Sequence, residues 1–159
     1  MKALLELVEK ICPEWISRPD PDFSNLEKVN HIMKQVMPGH IDMQIDHVSK
    51  EEVRGSIALH RQKTANLLGN LHGGATFTLG DTLAGVLLWL KSDGSYFGVT
   101  KSSLITYRRP VKKGTLYCSV SETFRDEKTV EVTAKFTDEN NHSVSGMIIQ
   151  FSLHKFKKP

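Results

Sequence analysis

Cysteine is nearly missing from this chain, with Cys12 and Cys118 the only two in 159 residues. Two thiols cannot build the framework that staples small secreted domains, so the count favours a reducing compartment and a cytoplasmic location is expected. Long apolar runs are missing too: Ala75 to Leu90 is short of a membrane span and holds Asp81. The stretch from Met1 to Lys10 carries Glu6 and Glu9 where a signal peptide needs an uninterrupted apolar core. A formal net charge of +3 and a pI near 8.9 are too weakly basic, without a clustered patch, to argue for nucleic acid. The seven histidines form no His-x-x-x-His pair and the cysteines no Cys-x-x-Cys, so no metal is expected. There is no Gly-x-Ser-x-Gly elbow, and neither cysteine sits in a nucleophile motif, which disfavours serine or cysteine hydrolase chemistry. Internal repeats and low-complexity tracts are also lacking.

What is present fits one domain over 1–159, long enough to bury a core and too short for two. Leu4, Leu5, Val8 and Ile11 recur at helical spacing up to Pro13. A second helix is expected from Ser24, with Leu26, Val29, Ile32, Met33 and Val36 on one face and Pro38-Gly39 as its stop. Residues 1–39 thus read as an accessory helical piece and 40–157 as the core. From Ile41 the period becomes two: Ile41, Met43 and Ile45, then Val53, Gly55, Ile57 and Leu59 across Ser49-Lys50-Glu51-Glu52, a hairpin pattern. A long central helix follows, then four strands near Gly98-Arg108, Thr115-Phe124, Thr129-Thr137 and Val144-Lys155. Two strands, a buried helix and four strands make an α+β plan.

The central helix carries the chemistry. Between His72 and Lys91 the only ionisable side chain is Asp81. A helix apolar around most of its circumference belongs in a core, where a carboxylate is costly unless paired or used. Asp81 by itself is open to two readings, a structural acid hydrogen-bonded to threonines or a catalytic group. His72 is equally open, as a cap at the loop-to-helix junction or as a participant. Asn66 either orders its loop or reaches the site. Gly73 and Gly74 suit a tight turn, and their lack of side chains also exposes N–H groups. Gly80 and Gly85 each cost about 1 kcal/mol relative to alanine in a helix, which points to close packing against sheet or partner.

His72-Gly73-Gly74, Asp81 nine residues after the histidine, Gly85, the upstream Asn66 in Asn66-Leu67-Leu68-Gly69-Asn70-Leu71, and Tyr107-Arg108-Arg109-Pro110-Val111-Lys112-Lys113-Gly114 together form a specific pattern. It resembles the signature of the hotdog-fold thioesterases of the phenylacetic-acid-pathway and 4-hydroxybenzoyl-CoA type, over roughly residues 40–155. That resemblance implies an antiparallel sheet wrapped around a long central helix, and hydrolysis of acyl-CoA thioesters without a cofactor. It implies Asp81 as general base on water or as nucleophile, and the Gly73 N–H as the donor that polarises the thioester carbonyl, assisted by Asn66 and His72. Thr100, in Gly98-Val99-Thr100, falls where relatives carry a small hydroxyl residue that positions water. Tyr107, Arg108, Arg109, Lys112 and Lys113 are the expected coenzyme A contacts, because guanidinium and ammonium groups at a site entrance suit phosphates; a solvated hairpin end is the bland alternative.

Helix geometry adds a constraint. Asp81 lies eight residues beyond Gly73, about 12 Å along the axis. A base or nucleophile must act within about 3 Å of the reacting centre. One Asp side chain cannot cover that gap, so two antiparallel copies of the helix are expected, in a homodimer with two shared sites that is open to further assembly as a tetramer. Two other functions stay open on fold alone, a hotdog hydratase or dehydratase and a non-catalytic acyl-CoA or lipid binder. The His-Phe-Pro element that dehydratases carry is absent.

Overall fold

A computed structural model describes residues 14–92 and 94–156 of the chain. The helix expected over Leu4 to Ile11, and Cys12, lie outside the described residues. The first described helix, α1 (Asn25–Met33), begins where a capping box dictates: Ser24 Oγ accepts from the Glu27 N–H at 3.3 Å, and the Glu27 carboxylate accepts from the Ser24 N–H at 2.7 Å. Val29, Ile32 and Met33 are its buried face. Asn30 ties it to the sheet, its amide donating to the Ile45 carbonyl at 2.9 Å and accepting from the Ile45 N–H at 3.1 Å.

Pro38-Gly39 does not stop that helix, contrary to expectation. The helix ends at Met33, and Pro38-Gly39 lies inside a second, four-residue helix, α2 (Met37–His40). Proline is accommodated in a first turn because its missing N–H would have no partner there.

The strands are β1 (Gln44–Val48), β2 (Val53–Ala58), β3 (Tyr96–Tyr107), β4 (Thr115–Arg125), β5 (Thr129–Thr137) and β6 (Ser143–Lys155), in the sheet order β1-β2-β4-β5-β6-β3 with antiparallel neighbours. Ile41 and Met43 fall before β1 because Asp42 turns the chain at φ 54°. Between β2 and β3 runs the long helix α3 (Gly73–Ser92), packed chiefly on β2, β3 and β4. Period-two burial supplies the sheet's side of the core, as in Val130, Val132, Ala134 and Phe136 of β5; Leu79, Leu83 and Leu87 supply the helix's side. Each of these valine, leucine and phenylalanine side chains contributes about 1.5–3 kcal/mol by leaving water. Gly80 lets the two surfaces meet: a Cβ there would stand 2.8 Å from Phe136 Cζ and 3.0 Å from Met147 Sδ. One antiparallel sheet around one long helix is the hotdog arrangement that the sequence pattern implies.

The sheet ends on β3, which pairs only with β6. This edge strand is open along most of its length and exposes Val99, Leu104 and Tyr107. No helix among the described residues is long and apolar enough to cross a membrane.

Candidate active site

The start of α3 is held by its preceding loop. The Leu71 N–H donates to the Val111 carbonyl at 2.8 Å and the His72 N–H to the Thr64 carbonyl at 2.7 Å. Asn66 Oδ1 accepts from the N–H groups of Leu68 (2.9 Å) and Asn70 (3.1 Å), and Gly69 completes the turn at φ 76°. Asn66 therefore orders the loop through its oxygen, while its amide N–H groups make no hydrogen bond among the described residues.

His72 caps the helix. Its Nδ1 accepts from the Gly74 N–H at 2.8 Å, so in the neutral ring the proton sits on Nε2, on an exposed side chain. Tyr107 reaches back from the end of β3, and its hydroxyl donates to the Gly73 carbonyl at 2.9 Å. The Gly73 N–H has no hydrogen-bond partner among the described residues, as expected of a first-turn donor at the positive end of a helix. Gly73 is part of the wall of a cleft of about 320 Å³, with Asn66, Asn70, Thr76, Tyr107, Arg108 and Arg109 among the other lining residues. Asn70 and Thr76 carried no motif of their own in the sequence. Thr76 joins the wall because it lies one helical turn beyond Gly73.

Asp81 is elsewhere. It lies on the face of α3 that the sheet leaves open, a half-exposed stripe of Phe77, Thr78, Asp81, Thr82, Gly85 and Trp89. The expectation of a helix wholly inside the core is thus corrected, since one sheet covers only one side of it. Thr100 Oγ1 donates to Asp81 Oδ1 at 2.9 Å. A β-bulge between Thr100 and Ser102 displaces Lys101 from the ladder, and Thr100 pairs with the buried Phe151, which places it on the helix side of β3. The structure thus brings Asp81 together with Thr100, and Gly73 together with Asn66, His72 and Tyr107. Neither Asp81 nor Thr100 lines the Gly73 cleft, and α3 separates the two groups by about 12 Å.

The cations divide as well. Arg109 lines the cleft, whereas Arg108 also reaches outward, donating to Ser143 Oγ at 3.3 Å. Lys112 and Lys113 are exposed on the following turn, outside the cleft walls. A larger cleft, about 620 Å³, is lined by Asp46, His47, Arg54, Tyr117 and Lys135 among others, with no residue of α3. It contains none of the motif residues, so size is a poorer guide here than the free donor and the carboxylate.

The fold is the hotdog fold, and residues 68–145 match the family model described as Thioesterase superfamily. Among solved structures the chain is similar to a thioesterase from Haemophilus influenzae, with a TM-score of 0.80 and 16% identity over 91% of this chain and 96% of the other. A mutant thioesterase from Pseudomonas aeruginosa gives 0.76 and 17% over 91% and 100%. A hypothetical thioesterase protein with coenzyme A from Streptococcus pneumoniae gives 0.67 and 21% over 77% and 94%. No curated protein sequence matches the chain.

Proposed function

We propose that this protein is an acyl-CoA thioesterase that acts as a homodimer with two shared sites, with residues 40–157 as the catalytic core and 1–39 as an accessory piece. The observation that carries the reading is the division of the site: a free Gly73 N–H in a cleft with Asn66 and Arg109, and an Asp81–Thr100 pair about 12 Å along the same helix. Each half lacks what the other holds. Two antiparallel copies of α3 would set Asp81 of one subunit opposite the Gly73 end of the other. The apolar edge strand β3 and the uncovered face of α3 are the surfaces such a dimer would close.

In this reading the thioester carbonyl oxygen accepts the Gly73 N–H at the positive end of α3, which stabilises the charge that develops on attack. Thr100 donates its hydrogen bond to Asp81, and its lone pairs are left to orient a water against the carbonyl carbon. With Asp81 as general base, the carboxylate takes a water proton as the C–O bond forms, the C–S bond breaks, and the proton passes to the coenzyme A thiolate. With Asp81 as nucleophile, a mixed anhydride forms first and water then cleaves it. Both routes give one carboxylic acid and one thiol. Arg109, with Arg108 and the lysines at the rim, would hold phosphates of the coenzyme.

The experiment is a thiol-release screen over short, medium, long and aryl acyl-CoA esters, with Asp81→Asn as comparison. Thiol release by the wild type, reduced by about a hundredfold or more in Asp81→Asn, is expected for a lost acid-base group. Tight binding of acyl-CoA without thiol release would overturn the reading in favour of a non-catalytic binder.

A further inference from the structure

We infer that Tyr107 is a positioning residue for the oxyanion donor, and not the coenzyme contact that the sequence pattern implies for it. The inference rests on the thioesterase reading above and concerns how its site is held. Gly73-Gly74 is the most permissive dipeptide the chain could place at this junction, and a donor on it is useful only if its direction is fixed. Two side chains fix it. The peptide unit between Gly73 and Gly74 is clamped at both ends, its carbonyl by the Tyr107 hydroxyl at 2.9 Å and its N–H by His72 Nδ1 at 2.8 Å. The next N–H toward the N-terminus, that of Gly73, is left unpaired among the described residues, on a residue that lines the cleft.

The tyrosine also accounts for the glycine. A Cβ on Gly73 would stand 3.0 Å from Tyr107 Oη and 3.1 Å from Cζ, so the ring and a side chain at 73 compete for the same space. The anchor behind the ring is firm. Tyr107 is the last residue of β3, opposite Ser145 of β6, and Ser145 Oγ donates to the neighbouring Thr106 carbonyl at 2.7 Å. The ring is about half exposed, and the partial desolvation of its hydroxyl raises the phenol pKa above the ordinary value, in keeping with a hydroxyl that donates. A hydroxyl already committed to Gly73 has no proton to give a phosphate.

The test is Tyr107→Phe, which keeps the ring against Gly73 and removes only the hydroxyl. It is assayed on an acyl-CoA ester and on a truncated thioester lacking the nucleotide. A kcat lower by about tenfold or more on both substrates, with KM within about twofold on both, is expected for a group that serves the transition state only. His72→Ala, which releases the other end of the same peptide, should move kcat in the same direction. An unchanged kcat in Tyr107→Phe overturns the positioning role. So does a KM that rises for the coenzyme A ester and not for the truncated one, which would return Tyr107 to coenzyme binding. A wild type that releases no thiol from any acyl-CoA overturns the thioesterase reading itself; an active wild type with an unaltered Tyr107→Phe overturns only this inference.

Discussion

Gly80 and Gly85 sit in the same helix and should respond differently to the same substitution. Each glycine costs about 1 kcal/mol relative to alanine in a helix interior, so alanine at either position starts with that gain. At Gly80 the new methyl would meet Phe136 Cζ at 2.8 Å, and Phe136 is 1% exposed with no room to retreat; the second neighbour, Met147 Sδ at 3.0 Å, yields more easily. Forcing a methyl into such a core costs about 1–3 kcal/mol, which meets or exceeds the propensity gain. At Gly85 the new methyl would meet no atom within 4 Å beyond its chain neighbours and the backbone of its own helix turns, so the gain of about 1 kcal/mol is kept. Gly80→Ala should therefore be neutral to destabilised by about 2 kcal/mol and Gly85→Ala stabilised, a gap of about 1–3 kcal/mol. For a chain of this size the gap corresponds to about 2–4 °C in Tm per kcal/mol. Dimerisation would preserve the contrast, because antiparallel helices that set Asp81 opposite Gly73 leave Gly85 beyond the start of the partner helix. Urea titration at one fixed protein concentration reads both variants with the same m-value. A Gly85→Ala protein destabilised as much as Gly80→Ala would refute the open helix face and the active-site geometry drawn from it.

Thr100→Val removes one hydrogen bond to a carboxylate, worth about 1.5–3 kcal/mol, and should lower kcat about ten- to hundredfold with the chain still folded. Activity equal to wild type would detach Thr100 from the reaction. Glu122 accepts from Arg125 at 2.6 Å and lies 3.1 Å from Lys91, joining the end of α3 to β4, and Arg125 above all, with Lys91, holds its carboxyl below the ordinary glutamate value of 4.5. A depressed folded-state pKa gives stability that is present above the unfolded value and lost as pH falls through the folded one. Glu122→Gln should thus be less stable than wild type at neutral pH by about 1 kcal/mol or less, with the difference shrinking below pH 4.5. A difference that grows on acidification would contradict this assignment.

Much of the fold was legible in the sequence because its elements announce themselves locally. Ser24-x-x-Glu27 is a complete capping box, β5 alternates strictly, and α3 is long enough for its extent to survive the glycines inside it. Pro38-Gly39 misled because proline ends one helix and begins another with equal ease. In the site, the separation of Asp81 from Gly73 follows from helix rise alone. The two clamps on Gly73-Gly74 were not legible in the same way. Tyr107 lies 34 residues from Gly73, and only the pairing of β3 with β6 at the sheet edge carries it back to the helix start. His72 as a cap is a local feature, yet its Nδ1 bond to Gly74 depends on a ring orientation that composition does not encode. A helix apolar around most of its circumference predicts a buried Asp81, whereas one sheet leaves a side of it open for a partner or a substrate.

Complementation between two inactive subunits tests the shared site most directly. A protein carrying Asp81→Asn and one carrying Asn66→Ala with Gly73→Val, each nearly inactive alone, are to be co-refolded in equal amounts, with heterodimer formation checked by native mass. One site of each heterodimer collects both defects and the other collects neither, so thiol release should return to about a quarter of wild type under random pairing. Confirmed heterodimer without recovered activity would mean that each site is built within a single chain, and the division of Asp81 from the Gly73 cleft would lose its functional meaning.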